Sequence, residues 1–197
     1  NKKIDKSIIK FIYRITNIKT RNIMKTIAFL LHNNFEQAEY EDVNNQLKEK
    51  GYNTLLITTN EDKKVQAMNQ DVNKGDTFTA DIFASEAKVD DYDALVVPGG
   101  TVNADTIRGN KEAHSIINAI NEANKPLAVI CHAPWVLINT GIAKGKTLTA
   151  YHSLQTDLEN AGANFIDKTV QIDGNLITSR NPDDIENFVD AIDKALS

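Results

Sequence analysis

Three short runs in this chain are apolar without a break: TIAFLL at Thr26–Leu31, ALVV at Ala94–Val97 and LAVI at Leu127–Ile130. A strand with one face in water alternates polar and apolar residues. An unbroken run must be covered on both faces, the condition of a parallel sheet with helices above and below. NTLLIT at Asn53–Thr58 reads as a further strand, and helical patterns fill 36–50 and 110–124, the first stopped by Gly51. Trp135, Val136, Leu137 and Ile138 suit a buried helix that ends near Gly141. Beyond it the spacing predicts strands at 147–150, 170–172 and 176–178, a helix over 154–161, and a last helix starting near Pro182, where proline suits the first turn. The stretch 61–91 is less regular, and Asn73-Lys74-Gly75-Asp76 predicts the turn of a hairpin. The repeated strand-helix-strand order predicts one α/β domain, a mostly parallel sheet with helices on both faces.

Composition narrows the function classes. A single cysteine among 197 residues forms no internal disulfide and no multi-thiolate zinc site, and it fits a reducing, cytoplasmic setting. No run of roughly 18 apolar residues is present, so no membrane span is expected. The net charge of −5 conceals an asymmetry: residues 1–23 carry seven cations against Asp5 alone, and the rest is acidic. An acidic body lacks the clustered basic face that nucleic acid requires. Within 1–23, Ile4, Ile8, Phe11, Ile15 and Ile18 recur at helical spacing, as in a surface-seeking or partner-binding helix. A targeting peptide would need a compact apolar run and a small-residue cleavage site. The expectation is that 1–23 is an extension preceding a domain at 24–197.

Sites in open α/β sheets form beyond the carboxyl ends of the strands. There the first strand leads to Phe35-Glu36, ALVV to Gly99-Gly100, and LAVI to Cys131-His132. A cysteine between a buried strand and a helix sits on a tight elbow, where the helix N-terminus would favour thiolate and lower its pKa. The alternative is an inert core thiol. Gly99 and Gly100, with the N–H of His132, could form an oxyanion hole. Glu36 either complements the helix dipole or faces Cys131 as a protonated acid. His132 is expected to diverge from its neighbour and to serve as acid or base toward substrate. His114 reads as solvated, and His32 as a lining residue at most. His152 with His132 and Cys131 lacks the ligand spacing of a zinc motif, so no metal is expected. Gly145-Lys146-Thr147 falls one position short of a P-loop, and Pro98-Gly99-Gly100-Thr101 lacks the further glycine of a dinucleotide fingerprint. No cofactor is implied.

F-E-x-x-E (Phe35, Glu36, Glu39), ALVVPGG over 94–100, AVICHAPWVLI over 128–138, SLQTDLENAGA over 153–163 and DGNLITSRNPDD over 173–184 occur in the order found in the PfpI family. The chain resembles that family, known as intracellular protease/amidase or general stress protein, within the class I glutamine-amidotransferase-like superfamily. The resemblance covers residues 24–197. It implies a flavodoxin-like three-layer sandwich with Cys131 as nucleophile, Glu36 as the carboxyl group beside it, and Tyr151 near the mouth of the site. It also implies a homodimer or hexamer in which His132 pairs with an acid of a neighbouring subunit, at the position of Asp105. Ala133 stands where many members have Gly. His152 is followed by Ser153 and Leu154, without the His-x-Glu of the amidotransferases. The expected function is a stress-protective cysteine enzyme acting on small carbonyl compounds in the manner of a glyoxalase or deglycase. The alternatives are a peptidase or amidase acting on peptide or protein substrates, and a redox sensor or holdase without catalysis.

Overall fold

Alternation within the first apolar run separates two cores. Ala28 and Leu30 face one side of the sheet with Ile107, Ile117, Ile120 and Leu137; Ile27, Phe29 and Leu31 face the other with Val43, Leu47, Phe188 and Ile192. The computed structural model describes residues 24–197, and the reading of 1–23 lies outside the described residues. In chain order come β1 (Thr26–Leu31), β2 (Phe35–Glu36), α1 (Gln37–Glu49), β3 (Asn53–Thr58), β4 (Lys64–Asn69), β5 (Asn73–Thr79) and β6 (Ile82–Phe83). Next are β7 (Ala94–Val97), α2 (Thr101–Gly109), α3 (Lys111–Glu122), β8 (Leu127–Ile130), α4 (Trp135–Asn139) and β9 (Thr147–Leu148). The chain closes with α5 (Gln155–Asn160), β10 (Asn164–Phe165), β11 (Val170–Asp173), β12 (Leu176–Ser179) and α6 (Ile185–Leu196).

Seven strands form the main sheet in the order β11-β12-β8-β7-β1-β3-β6. All neighbours are parallel except β11, which pairs antiparallel with β12 at one edge. Helices α1 and α6 cover one face and α2 to α5 the other, which makes the flavodoxin-like three-layer sandwich. The layers follow from local sequence. Asn110 caps α3 by accepting the Ala113 N–H, and Ala113, Ile116, Ile117 and Ile120 recur along its buried side. In α6, Ile185, Phe188, Val189, Ile192 and Leu196 form the buried stripe, and a fully buried Phe188 stabilises the fold by about 2–3 kcal/mol.

Three local expectations change. The hairpin exists, but its turn is at 70–72, and 73–76 lies within β5. Gly75 is there for close approach: a Cβ would meet the Gln37 side chain and come within 3.2 Å of Ala67 O. The strand expected at 147–150 narrows to β9, paired with β10 in a separate ribbon. The helix after Cys131 has only five residues, preceded by a turn over 131–134. The hairpin joins β2 in a three-stranded accessory sheet of order β2-β4-β5, which carries its tip toward the carboxyl ends of β1, β7 and β8. Chain connections depart from β1 to β3 on one side and β7 lies on the other, so a crevice opens at this end.

Candidate active site

Cys131 ends β8 with φ +63°, a conformation costly for any residue with a Cβ. The surrounding backbone holds it. Its N–H donates to Ser179 O at 3.0 Å, and its own carbonyl accepts from Tyr151 N–H at 2.8 Å. The elbow expected from sequence is present. Its side chain is 7% exposed and forms the floor of a cavity of about 240 Å³, whose walls come from α1, the hairpin tip, Gly100, His132 and Tyr151.

The carboxyl group against the thiol belongs to Glu39, not Glu36. Glu39 is fully buried, and its carboxyl hydrogen-bonds the Cys131 side chain. Gly99 N–H donates to Glu39 Oε2 at 2.6 Å, so Oε2 acts as an acceptor, while Oε1 is buried with no hydrogen-bond partner. Burial pushes the Glu39 pKa up to about 8, against the weaker opposing pull of these hydrogen bonds. Glu36 is the N-cap residue of α1, yet its side chain makes no cap; half-buried at the mouth, it accepts the Asp71 N–H at 3.3 Å. Helix phase explains the exchange. Glu39, Val43 and Leu47 recur every four residues along the buried side of α1, so a carboxylate in register with the apolar stripe was the signal for the inner acid.

The two glycines divide the work expected of them jointly. Gly99 N–H is taken up by Glu39, so it is not free for an oxyanion. Gly100 N–H and His132 N–H both point at the sulfur. The thiol itself is not lowered. Burial raises its pKa, the Glu39 carboxylate raises it further, and those two N–H groups oppose the rise. Helix α4 is too short to supply the expected dipole. Cys131 and Glu39 thus titrate as one system. Loss of one proton leaves a single charge shared by this pair.

Gly100 has φ +86°, and a Cβ there would come within 2.7 Å of Asn34 O and Glu36 N, both backbone atoms that cannot turn aside. Gly100→Ala is therefore expected to destabilise the fold by at least about 2 kcal/mol and to slow alkylation of Cys131, as read by denaturant melts and iodoacetamide kinetics.

His132 stays close to its neighbour: Nδ1 lies 3.3 Å from Cys131 Sγ, a correction to the expected divergence. Burial lowers its pKa and favours the neutral ring. Tyr151 stacks on it with centroids 4.4 Å apart, Trp135 meets its edge, and exposed His152 lies against Tyr151. Asp105 is exposed on α2 and does not line the cavity. Asp71 is the residue that sequence reading missed. It sits at the hairpin tip with φ +63°, where Val72 N–H donates to Gln70 O across it in a γ-turn. Its carboxylate accepts Thr101 N–H and Thr101 O–H, each at 2.7 Å. Of the remaining histidines, His32 pairs with Thr59 Oγ1 outside the cavity, and half-buried His114 bonds Arg108 O. Among the described residues no group of three or more His, Cys, Asp or Glu is placed to hold a metal ion, and no helix is long and apolar enough to cross a membrane.

A lone thiol on a strained elbow, with a buried acid behind it and amide hydrogens before it at the end of a parallel sheet, defines a cysteine-elbow protein of the class I glutamine-amidotransferase-like superfamily. The profile of the DJ-1/PfpI family matches residues 25–195, and the chain belongs to that family. It is similar to SAV1875 of Staphylococcus aureus, 38% identical over 174 residues that make up 87% of this chain and 98% of the relative. It is also similar to a Bacillus subtilis protein named "Putative cysteine protease YraA", 39% identical over 164 residues, 83% of this chain and 94% of that one. Among solved structures it resembles a two-domain Anabaena variabilis protein with DJ-1/ThiJ/PfpI-like and ferritin-like domains. There the TM-score is 0.81 at 32% identity, covering 87% of this chain and 48% of that chain.

Proposed function

We propose that the chain is a cysteine-dependent enzyme that converts small reactive carbonyl compounds through a hemithioacetal on Cys131. The observation that carries this is the buried Glu39 carboxyl, fixed by Gly99 N–H against the thiol. In the reacting form, sulfur attacks the aldehyde carbon of a 2-oxoaldehyde. The carbonyl π electrons move to oxygen, which is stabilised by Gly100 N–H and His132 N–H and then takes the carboxyl proton of Glu39. The Glu39 carboxylate, or neutral His132, then removes the hydrogen from the former aldehyde carbon. The resulting enediol is reprotonated at the neighbouring carbon, leaving a hydroxyacyl thioester. Water cleaves this thioester to release a 2-hydroxy acid and the thiol. No redox partner is consumed, since one carbon is oxidised as its neighbour is reduced.

The second reading is amide hydrolysis through an acyl thioester, favoured by the name carried by the Bacillus relative. It asks His132 to protonate a leaving amine and so needs an acid to orient that ring. Asp105 would reach the ring only from a neighbouring subunit of a homodimer or hexamer. A redox-sensing role competes for the same sulfur. A cytoplasmic setting goes with this proposal, on the ground that a lone thiol fits a reducing compartment. The test is incubation with methylglyoxal in the absence of glutathione, with lactate as the expected product. Absence of lactate together with release of amine from a peptide amide would replace the first reading by the second.

A further inference from the structure

The cavity above Cys131 has an unbalanced charge. Glu36, Asp71 and buried Glu39 contribute to its lining, and among the described residues no lysine or arginine does. Among the described residues neither outer carboxylate pairs with a cation: Glu36 accepts the Asp71 N–H, and Asp71 accepts two hydrogen bonds from Thr101. These donors fix both side chains at the cavity, and hydrogen bonds from the Gln70 and Asp71 main chain oppose the rise that burial imposes on the Glu36 pKa. His132, held toward its neutral form by burial, offers no compensation. Behind them Glu39 Oε1 is buried with no hydrogen-bond partner. An anion entering this space meets two fixed like charges inside low-dielectric walls, whereas a cation meets two counter-charges already oriented.

We propose that the hairpin tip and the start of α1 select substrate by charge: the preferred carbonyl substrate bears a positive group near its reacting carbon, neutral carbonyls are accepted, and 2-oxoaldehydes that bear a carboxylate are rejected. This deepens the function proposed above and shares its premise that Cys131 is the nucleophile. Glu36 and Asp71 are the selecting residues; neither holds the sulfur.

The test uses methanethiosulfonates of matched size. The Cys131 thiolate displaces methanesulfinate and forms a mixed disulfide, so the rate reads access to sulfur without requiring turnover. Second-order constants are measured for the trimethylammonioethyl, methyl and sulfonatoethyl reagents, each divided by its rate with 2-mercaptoethanol. The normalised cation-to-anion ratio is expected to be at least about 30 at low salt. It should fall about fivefold in Glu36→Gln and in Asp71→Asn, and fall again in 0.5 M salt by about as much. A simple loosening of the hairpin would move all three reagents alike and leave the ratio unchanged. A ratio within about threefold of the free thiol, or one unmoved by Glu36→Gln, overturns the proposal. So does turnover of a 2-oxoaldehyde bearing a remote carboxylate as efficient as that of methylglyoxal, an outcome that leaves the carbonyl chemistry standing. If the ratio holds while no carbonyl is converted, charge selection stands and the enzymatic reading falls.

Discussion

Glu39→Gln is expected to stabilise the protein at pH 8 while removing most of its activity. An unfolded glutamate loses its proton near 4.5, whereas in the fold burial holds the Glu39 proton up to about 8. Between those values the folded state binds more protons than the unfolded state, so stability from this group falls as pH rises. The slope is about 1.4 kcal/mol per pH unit, amounting to roughly 4 kcal/mol at pH 8 and levelling off at about 5 kcal/mol above it. Glutamine has no such dependence. It can still accept Gly99 N–H through its carbonyl oxygen, but it leaves one amide hydrogen poorly partnered, a cost of about 1–3 kcal/mol. The variant should therefore be less stable than wild type near pH 5 and more stable near pH 8, with Tm moving about 2–4 °C per kcal/mol. Activity should fall about 10²- to 10⁴-fold, the usual contribution of a positioned proton donor. Denaturant melts from pH 5 to 9 decide the matter; a wild-type-to-variant difference that does not change with pH would show that Glu39 is not the raised acid.

Cys131→Ser should keep the fold and lose turnover. The replacement is nearly isosteric, and the φ of +63° at the elbow is held by hydrogen bonds from the main chain, which the substitution does not touch. A hydroxyl is far harder to ionise than a thiol, and Gly100 N–H and His132 N–H are aimed at the position of a sulfur anion. The rate with methylglyoxal is expected to drop at least about 10³-fold with Tm shifting by about 2 °C or less. Residual activity above a tenth of wild type, roughly, would mean that another group attacks the substrate.

Sequence patterning revealed the sheet and its chemistry more readily than the arrangement around them. TIAFLL, ALVV and LAVI declare strands covered on both faces, and each ends in the residues that line the crevice. Choosing between Glu36 and Glu39 required the phase of α1: Glu36 stands at its N-cap and Glu39 in its first turn, and only Glu39 shares the face of Val43 and Leu47. Asp71 carried no local signal, because its place in the site comes from a hairpin folding back over Thr101, a contact thirty residues distant in the chain. Asn73 to Asp76 has the composition of a turn and nevertheless forms strand, since Gly75 answers to the crowded packing over Gln37 and Ala67. The raised thiol pKa was hidden for the same reason: it depends on a buried partner that only the tertiary structure supplies.

The reacting sulfur and the carboxylates at its entrance belong to separately supported pieces of the molecule. Cys131 is anchored to the main sheet through Ser179, whereas Asp71 rides on the three-stranded ribbon and touches the rest through Thr101. Mutation in the ribbon can thus redraw which molecules are admitted while the attacking group and its acid remain untouched. A lineage built on this plan can reshape its entrance by editing the ribbon alone, with the elbow and its buried acid inherited intact.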